Sequence, residues 1–365
     1  MLAKLAKRNK VLIGALALLA IVMTIAVSGC GSTGTNTGNS VGTASGKQVM
    51  LNGAGSTFDL PLFTKMFAEY PKVNPNINVN YQGVGSGAGI QQLSDMTIDF
   101  GASDAPMKDE QMAAAKGGKI LHIPITLGAV AIAYNVPGVP KKIKIAPDVL
   151  ADIFLGKIKN WNDPRIAADN PGVKFPDLAI NTAHRSDGSG TNYIVTTYLS
   201  SISPEWKEKI GSGTSVNWPG GVGGKGNPGV AQAIQQTPGT IGYIELAYAI
   251  QNNITYAQMK NKDGKWVSPS LEGASESAAG ATIPDDMRVM IVNAPGEKVY
   301  PISGFSWVLL YQHQKDKTKG KALVELLKWM VHDGQNYSES LDYAKLPQSM
   351  VGRIDKMLGT VTYGS

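Results

Sequence analysis

The sequence predicts an α/β fold of two lobes joined by a hinge. Strand-like runs are followed, again and again, by a glycine loop and a helix-like run, the order of a mainly parallel sheet. Two long apolar stretches, 122–134 and 300–312, are placed to cross between the lobes and return. At 365 residues the chain is long enough for two cores, and its 42 glycines, 43% hydrophobic and 17% charged residues describe a loop-rich globular protein.

The N-terminus stands apart from that fold. Residues 1–10 are basic, 11–27 form an apolar run, and small residues then lead to Cys30, the only cysteine. This arrangement resembles a bacterial lipoprotein signal, implying cleavage before Cys30 and lipidation of its thiol and new amino group. The assignment removes Cys30 from catalysis, and one cysteine permits no disulfide within the chain. Residues 1–29 also hold four of the 34 basic residues and no acid, so 30 basic residues face 28 acidic ones without them. The formal charge of +6 therefore does not imply a nucleic-acid partner. Residues 30–47 read as a flexible polar tether.

The folded part opens with a strand at 49–53, a glycine turn and a helix over 60–70. A strand at 77–81 leads to the loop Gly83-Val-Gly-Ser-Gly-Ala-Gly89 and a helix over 90–96. A short strand at 99–104 ends on a carboxylate, Asp104, and a helix over 108–116 follows. The apolar strand 122–134 leaves this lobe. The second lobe has a helix over 148–155, a strand over 178–184 and a helix from Thr191. It continues with an exposed glycine loop at 218–229, a helix over 230–236 and a strand over 241–245. Residues 268–284 read as a surface excursion with a small helix, and 288–293 as a strand. The strand 300–312 returns to the first lobe, where an amphipathic helix over 320–331 packs on it.

One stretch organises the rest: Arg185-Ser-Asp-Gly-Ser-Gly-Thr191, lying between a strand and a helix. A glycine loop feeding a helix N-terminus aims N–H groups and partial positive charge at whatever sits there, which suits an anion. Ser189 and Thr191 add hydroxyls, and Arg185 adds a forked cation. Loops at 53–58 and 83–89 are of the same type, offering Thr57 and Ser86. The loop at 83–89 also fits a dinucleotide fingerprint, but that reading leaves 185–191 without a role. No GxSxG elbow joins a strand to a helix in the folded part, and the four histidines have no metal-ligand spacing, so neither a hydrolase nor a metal site is indicated.

Seven segments together resemble the phosphate-binding protein of the bacterial ABC phosphate transporter. They are Gly53-Ala-Gly-Ser-Thr-Phe58, Tyr81-Gln-Gly-Val-Gly-Ser86, Asp99-Phe-Gly-Ala-Ser-Asp-Ala-Pro106, Leu155-Gly-Lys-Ile-Lys-Asn-Trp161, Arg185-Ser-Asp-Gly-Ser-Gly-Thr191, Gly223-Gly-Lys-Gly-Asn227 and Leu341-Asp-Tyr-Ala-Lys-Leu-Pro347. The likeness runs from about residue 50 to about residue 350. It implies the two-lobed periplasmic-binding-protein fold of type II, with 48–133 and 304–365 as domain I, 134–303 as domain II and a two-strand hinge. It implies no enzyme activity and no cofactor, but delivery of inorganic phosphate to permease subunits by a monomer. The lipobox and tether match lipid-anchored members, exported and held at the cell membrane on the periplasmic or extracellular side. Phosphate would be held by Thr57, the Phe58 N–H, Ser86, Asp104, Arg185, Ser189, the Gly190 N–H and Thr191, with Asp187 steadying Arg185. His184 stands where some members have a second arginine.

Overall fold

The computed structural model describes residues 47–364. The signal expected at 1–29, Cys30 and the tether up to residue 46 lie outside the described residues.

The first lobe opens with β1 (Val49–Gly55), α1 (Leu60–Val73), β2 (Ile77–Gly83), α2 (Ser86–Ser94), β3 (Phe100–Ser103) and α3 (Asp109–Ala114). The long β4 (Ile120–Tyr134) leads out of it. Beyond it lie β5 (Lys144–Ile145), α4 (Pro147–Phe154), α5 (Pro164–Ala168), β6 (Asn181–Arg185), α6 (Gly190–Ile202) and α7 (Pro204–Lys209). Then come β7 (Val222–Gly224), α8 (Gly226–Gln236), β8 (Thr240–Glu245) and α9 (Leu246–Gln251). The short strands β9 (Thr255–Tyr256), β10 (Gln258–Lys260) and β11 (Trp266–Val267) precede α10 (Leu271–Ala279). The chain returns through β12 (Ser303–Tyr311), β13 (His313–Gln314), α11 (Lys317–Val331), α12 (Gln348–Leu358) and β14 (Thr362–Tyr363).

The main sheet runs β2-β1-β3-β12-β4-β8-β6-β7, with β9 added beside β4. Its two wings are parallel: β2-β1-β3 in the first lobe and β8-β6-β7 in the second. The centre is antiparallel, because β4 leaves the first lobe and β12 re-enters it in the opposite direction. The sheet is therefore mixed rather than mainly parallel. β4 serves both lobes. Its residues from Ile120 to Ala129 pair with β12, and those from Val130 to Tyr134 pair with β8. All 15 residues of β4 are buried, which explains an apolar run without alternation.

The return crossing differs from the expected strand. β12 begins only at Ser303 and pairs within the first lobe, with β3 and the first part of β4. Just before it the chain is irregular. Pro301 has no N–H with which to extend a ladder, and contact is kept by Val130 N donating to Ile302 O at 2.8 Å. One continuous strand and one irregular segment thus join the lobes.

Three other expectations are corrected. Residues 288–293 form no strand. Met287 and Asn293 have positive φ at 61° and 52°, which breaks an extended run at both ends. The glycine loop at 218–229 is not simply exposed: it contains β7 and the start of α8, and Asn227 is fully buried. Residues 268–284 are less superficial than expected, since Gly273, Ala274 and Ser277 of α10 are buried.

The first lobe's core follows from apolar periodicity. Leu62, Phe63, Met66, Phe67 and Tyr70 of α1 face inward, as do Leu323, Leu326, Leu327 and Met330 of α11. Full burial of such a side chain contributes about 1.5–3 kcal/mol. The helix α11 packs against β1, returning the C-terminal part to the first lobe as expected.

Candidate functional site

The glycine loops converge where the two lobes face each other. Ser56, Thr57 and Phe58 follow β1, Ser86 opens α2, and Asp104 follows β3. Arg185 ends β6, Gly190 and Thr191 open α6, and Asn227 lies in the first turn of α8. This is the carboxyl end of the parallel wings, where crevices form in such sheets.

The local sequence explains each placement. α2 starts at Ser86 rather than at Ile90, although its first turn is rich in glycine. The helix packs closely on β1 and β3: a Cβ on Gly89 would stand 2.5 Å from the Gly55 Cα. Close packing outweighs intrinsic propensity here. Gly85 precedes the helix with φ +95°, and a Cβ there would meet the Asp187 carboxylate of the other lobe at 2.2 Å. α6 is capped by Ser189, whose Oγ accepts from Asn192 N at 3.0 Å.

Bonds between the lobes bring most of the named residues together. Ser86 Oγ accepts from Gly190 N at 3.0 Å, and Thr191 Oγ1 donates to Asp104 Oδ2 at 3.1 Å. Gly87 N donates to Gly188 O at 2.8 Å. Asn227 donates to Thr57 Oγ1 from its backbone N at 3.0 Å and from Nδ2 at 3.1 Å. Its Nδ2 also reaches Thr191 Oγ1 at 3.2 Å. Tyr248 OH donates to Thr57 O at 2.6 Å.

Arg185 is held before any anion is considered. Its Nε and Nη2 donate to the two oxygens of Asp187 at 2.8 and 2.6 Å, and its Nη1 reaches Thr191 Oγ1 at 3.4 Å. Asp187 also accepts from Gly226 N at 3.0 Å. Burial pushes the Asp187 carboxyl up. The guanidinium and the Gly226 N–H outweigh burial and hold it below the ordinary range.

Asp104 is 1% exposed. Ser56 Oγ and Thr191 Oγ1 donate to its two oxygens. Burial raises its carboxyl from 3.8 to about 6, against the opposing pull of Ser56, the Arg185 charge, Thr191 and Ser306. Such a group is an anion at neutral pH but holds a proton in mild acid. Gly190 makes room for it, since a Cβ on that residue would stand 2.5 Å from the Asp104 carboxyl carbon.

Thr57, Ser86, Asp104, Arg185, Gly190 and Thr191 thus form one cluster, with Asp187 attached. Phe58 N lies at its edge and donates to Ser56 Oγ at 2.8 Å. Ser189 is fully buried beside it, with its oxygen engaged as the α6 cap. Ser56 and Asn227 also join the cluster, although neither is among the site residues expected from the sequence. Asn227 closes the segment Gly223-Gly-Lys-Gly-Asn227, but nothing in its spacing shows that α8 turns it toward Thr57. No cluster of metal-ligating side chains occurs among the described residues. A surface cavity of about 550 Å³, lined by residues such as Lys119, His122 and Arg353, contains none of the site residues.

The described residues include no helix long and apolar enough to cross a membrane.

Comparison with known proteins adds the following. A PBP superfamily domain model matches residues 34–333. "Phosphate-binding protein PstS" of Xylella fastidiosa (strain 9a5c) is 42% identical over 359 residues, covering 95% of this chain and 98% of that protein. The protein of the same name from Methanocaldococcus jannaschii is 38% identical over 368 residues, covering 94% and 93%. Among solved structures, a high-affinity periplasmic phosphate-binding protein (PfluDING) bound with phosphate matches with a TM-score of 0.67 at 20% identity, covering 84% of this chain and 93% of that one. A putative phosphate ABC transporter substrate-binding protein with bound phosphate, from Clostridium perfringens, matches with a TM-score of 0.60 at 17% identity, covering 82% and 100%. At these identities the structural likeness shows the two-lobed fold.

Proposed function

The chain belongs to the PstS family of phosphate-binding proteins, and from that premise we propose that it captures inorganic phosphate between its lobes for an ABC phosphate importer. One observation carries this reading for the chain's own residues. Thr57, Ser86, Asp104, Arg185, Gly190 and Thr191, drawn from two lobes and four loops, meet within hydrogen-bonding distance of one another or of a shared partner. On this reading, phosphate oxygens take over the contacts those groups now make. Thr57, the Phe58 N–H, Ser86, Ser189, the Gly190 N–H and Thr191 donate to it, and Arg185, held by Asp187, supplies charge.

Asp104 sets the selectivity. Phosphate near neutral pH keeps at least one proton, and sulfate keeps none. The Asp104 carboxylate accepts a hydrogen bond from that proton, whereas sulfate presents only acceptors to it. An unmatched buried charge costs on the order of a few kcal/mol, enough for discrimination of roughly a hundredfold or more.

The lobes on this reading are 48–133 with 304–365, and 134–303, and they close on phosphate about β4 and the segment before β12. Because the ligand touches both lobes, it binds the closed form better and shifts the population toward it. The protein acts as a monomeric carrier rather than an enzyme. It is exported, tethered to the membrane through lipidated Cys30, and presents its closed lobes to permease subunits.

Calorimetric titration of the phosphate-stripped protein with phosphate and then sulfate tests the proposal. Tight one-to-one phosphate binding with negligible sulfate binding is the expected result. Comparable binding of both anions overturns the role of Asp104, and binding of neither overturns the reading altogether.

A further inference from the structure

Behind Asp104 lies a second buried carboxyl group, on Asp59, which the site as described does not use. Asp59 occupies the N-cap position of α1, yet its side chain caps no N–H there. It turns inward instead, is 0% exposed, and places Oδ2 at 2.6 Å from Ser306 Oγ. Its Oδ1 is buried without a partner. Ser306, also fully buried, reaches on to Asp104 Oδ1 at 3.5 Å. Asp59, Ser306 and Asp104 therefore form a short polar line leading to the anion cluster.

From this geometry we propose that Asp59 is kept as a neutral carboxylic acid that donates through Ser306 to Asp104, making it a positioning residue for the phosphate acceptor. The role in phosphate binding rests on the reading above, but the protonation of Asp59 does not.

The surroundings leave little choice. Asp59 has no ion-pair partner among the described residues, and the buried cation of the cluster, Arg185, is engaged by Asp187. The groups facing Asp59 are Asp104, Glu245, Tyr81, Tyr248 and Tyr343. The three phenols cannot help, because they donate to the carbonyls of Ser56, Thr57 and Phe58 at 2.7, 2.6 and 2.6 Å. Glu245 is a third buried carboxyl, itself pushed up by burial, and Asp104 is a like charge. An ionised Asp59 would thus be a dry anion with one hydrogen bond beside another anion, and such a group takes up a proton instead. Burial, followed by the Asp104 charge, pushes its carboxyl well above the ordinary range, and the Ser306 hydrogen bond only partly opposes this.

Direction follows from proton counting. Ser306 has one proton. When Asp59 is neutral, its O–H donates to Ser306 Oγ, and the serine proton points at Asp104. When Asp59 is ionised, that proton turns back to Asp59 and Asp104 loses a donor. A neutral Asp59 thus helps to keep Asp104 an anion, the form that accepts from phosphate.

Infrared difference spectroscopy of the phosphate-free protein at pH 7, wild type minus Asp59→Asn, tests the protonation. A carbonyl band of a protonated carboxylic acid, shifting in deuterium oxide, is the expected result, and its absence overturns the proposal. Phosphate titration tests the positioning. Asp59→Leu and Ser306→Ala each weaken binding about tenfold, and Asp59→Asn, whose amide donates in the same direction, restores it to within about threefold of wild type. An Asp59→Asn protein that binds phosphate tenfold or more tighter than wild type overturns the proposal, because it would have lost an ionised neighbour of the anion. Failure of the wild type to bind phosphate would sink the functional reading and leave the infrared test of Asp59 intact.

Discussion

Replacing Asp104 with asparagine changes how stability depends on pH. In the folded protein burial raises this carboxyl from 3.8 to about 6. The sign follows from proton counting. Between about pH 4 and pH 6 the folded chain keeps a proton that the unfolded chain has released, so stability falls as pH rises through that window. Above it the penalty stays in full. The rise corresponds to about 3 kcal/mol. Asparagine cannot ionise, so Asp104→Asn removes this residue's share of the decline. The variant also weakens the bonds from Ser56 and Thr191, but that lowers stability at every pH and leaves the slope alone. Asp59 is pushed up partly by the Asp104 charge, so losing that charge shrinks the Asp59 penalty as well, in the same sense. The assay is urea unfolding of phosphate-stripped wild type and variant at pH 4.5, 6 and 8. The stability difference should move in the variant's favour by up to about 3 kcal/mol from the lowest pH to the highest. Parallel pH profiles for the two proteins would refute the reasoning.

Three further outcomes can be checked on the same footing. Gly190→Ala places a Cβ 2.5 Å from the Asp104 carboxyl carbon and 2.6 Å from its backbone N, so the lobes cannot reach their present approach. Phosphate affinity should fall at least a hundredfold in titration, and small-angle scattering with phosphate should keep the open dimensions. Arg185→Lys replaces a two-point fork on Asp187 with a single point charge, and phosphate affinity should fall about tenfold to a hundredfold with the phosphate-to-sulfate ratio little changed. Asn227→Ala removes the amide that joins Thr57 to Thr191, so binding should weaken about tenfold, read mainly as faster phosphate release in stopped flow.

The sequence made the loops legible and left their company hidden. Arg185, Asp187 and Thr191 sit within seven residues, so local chemistry alone suggests an anion cradle. Ser86 and Asp104 needed the strand–glycine–helix rhythm to bring them to the same sheet edge. Asp59 and Ser306 could not be paired from the sequence, because they are 247 positions apart and neither lies in a glycine loop. The strand expected at 288–293 but absent from the fold has a similar cause. Apolar residues are present there, but Met287 and Asn293 have positive φ, and both are hydrogen-bonded to later parts of the chain, Trp307 Nε1 donating to Met287 O and Asn293 N to Pro301 O. Pro301 was visible, yet its effect on the return crossing depends on which strand lies beside it.

Net charge does not explain why this cleft suits an anion. Arg185 is already neutralised by Asp187, and Asp104 adds a negative charge at neutral pH. Were Asp59 and Glu245 ionised as well, the cluster would strongly repel a phosphate dianion. Burial raises both carboxyls well above the ordinary range and so favours their neutral forms. On the proposed reading, what remains to attract the ligand is directional: the N–H groups of Phe58 and Gly190, hydroxyls of Thr57, Ser86, Ser189 and Thr191, and a guanidinium fixed in orientation. Dipoles held in place cost little reorganisation, and they act strongly in a closed site where water no longer screens them. Selectivity is then separable from affinity. On the proposed reading, donors that any tetrahedral anion can use supply affinity, and the one ionised acceptor, Asp104, reads whether the anion still carries a proton.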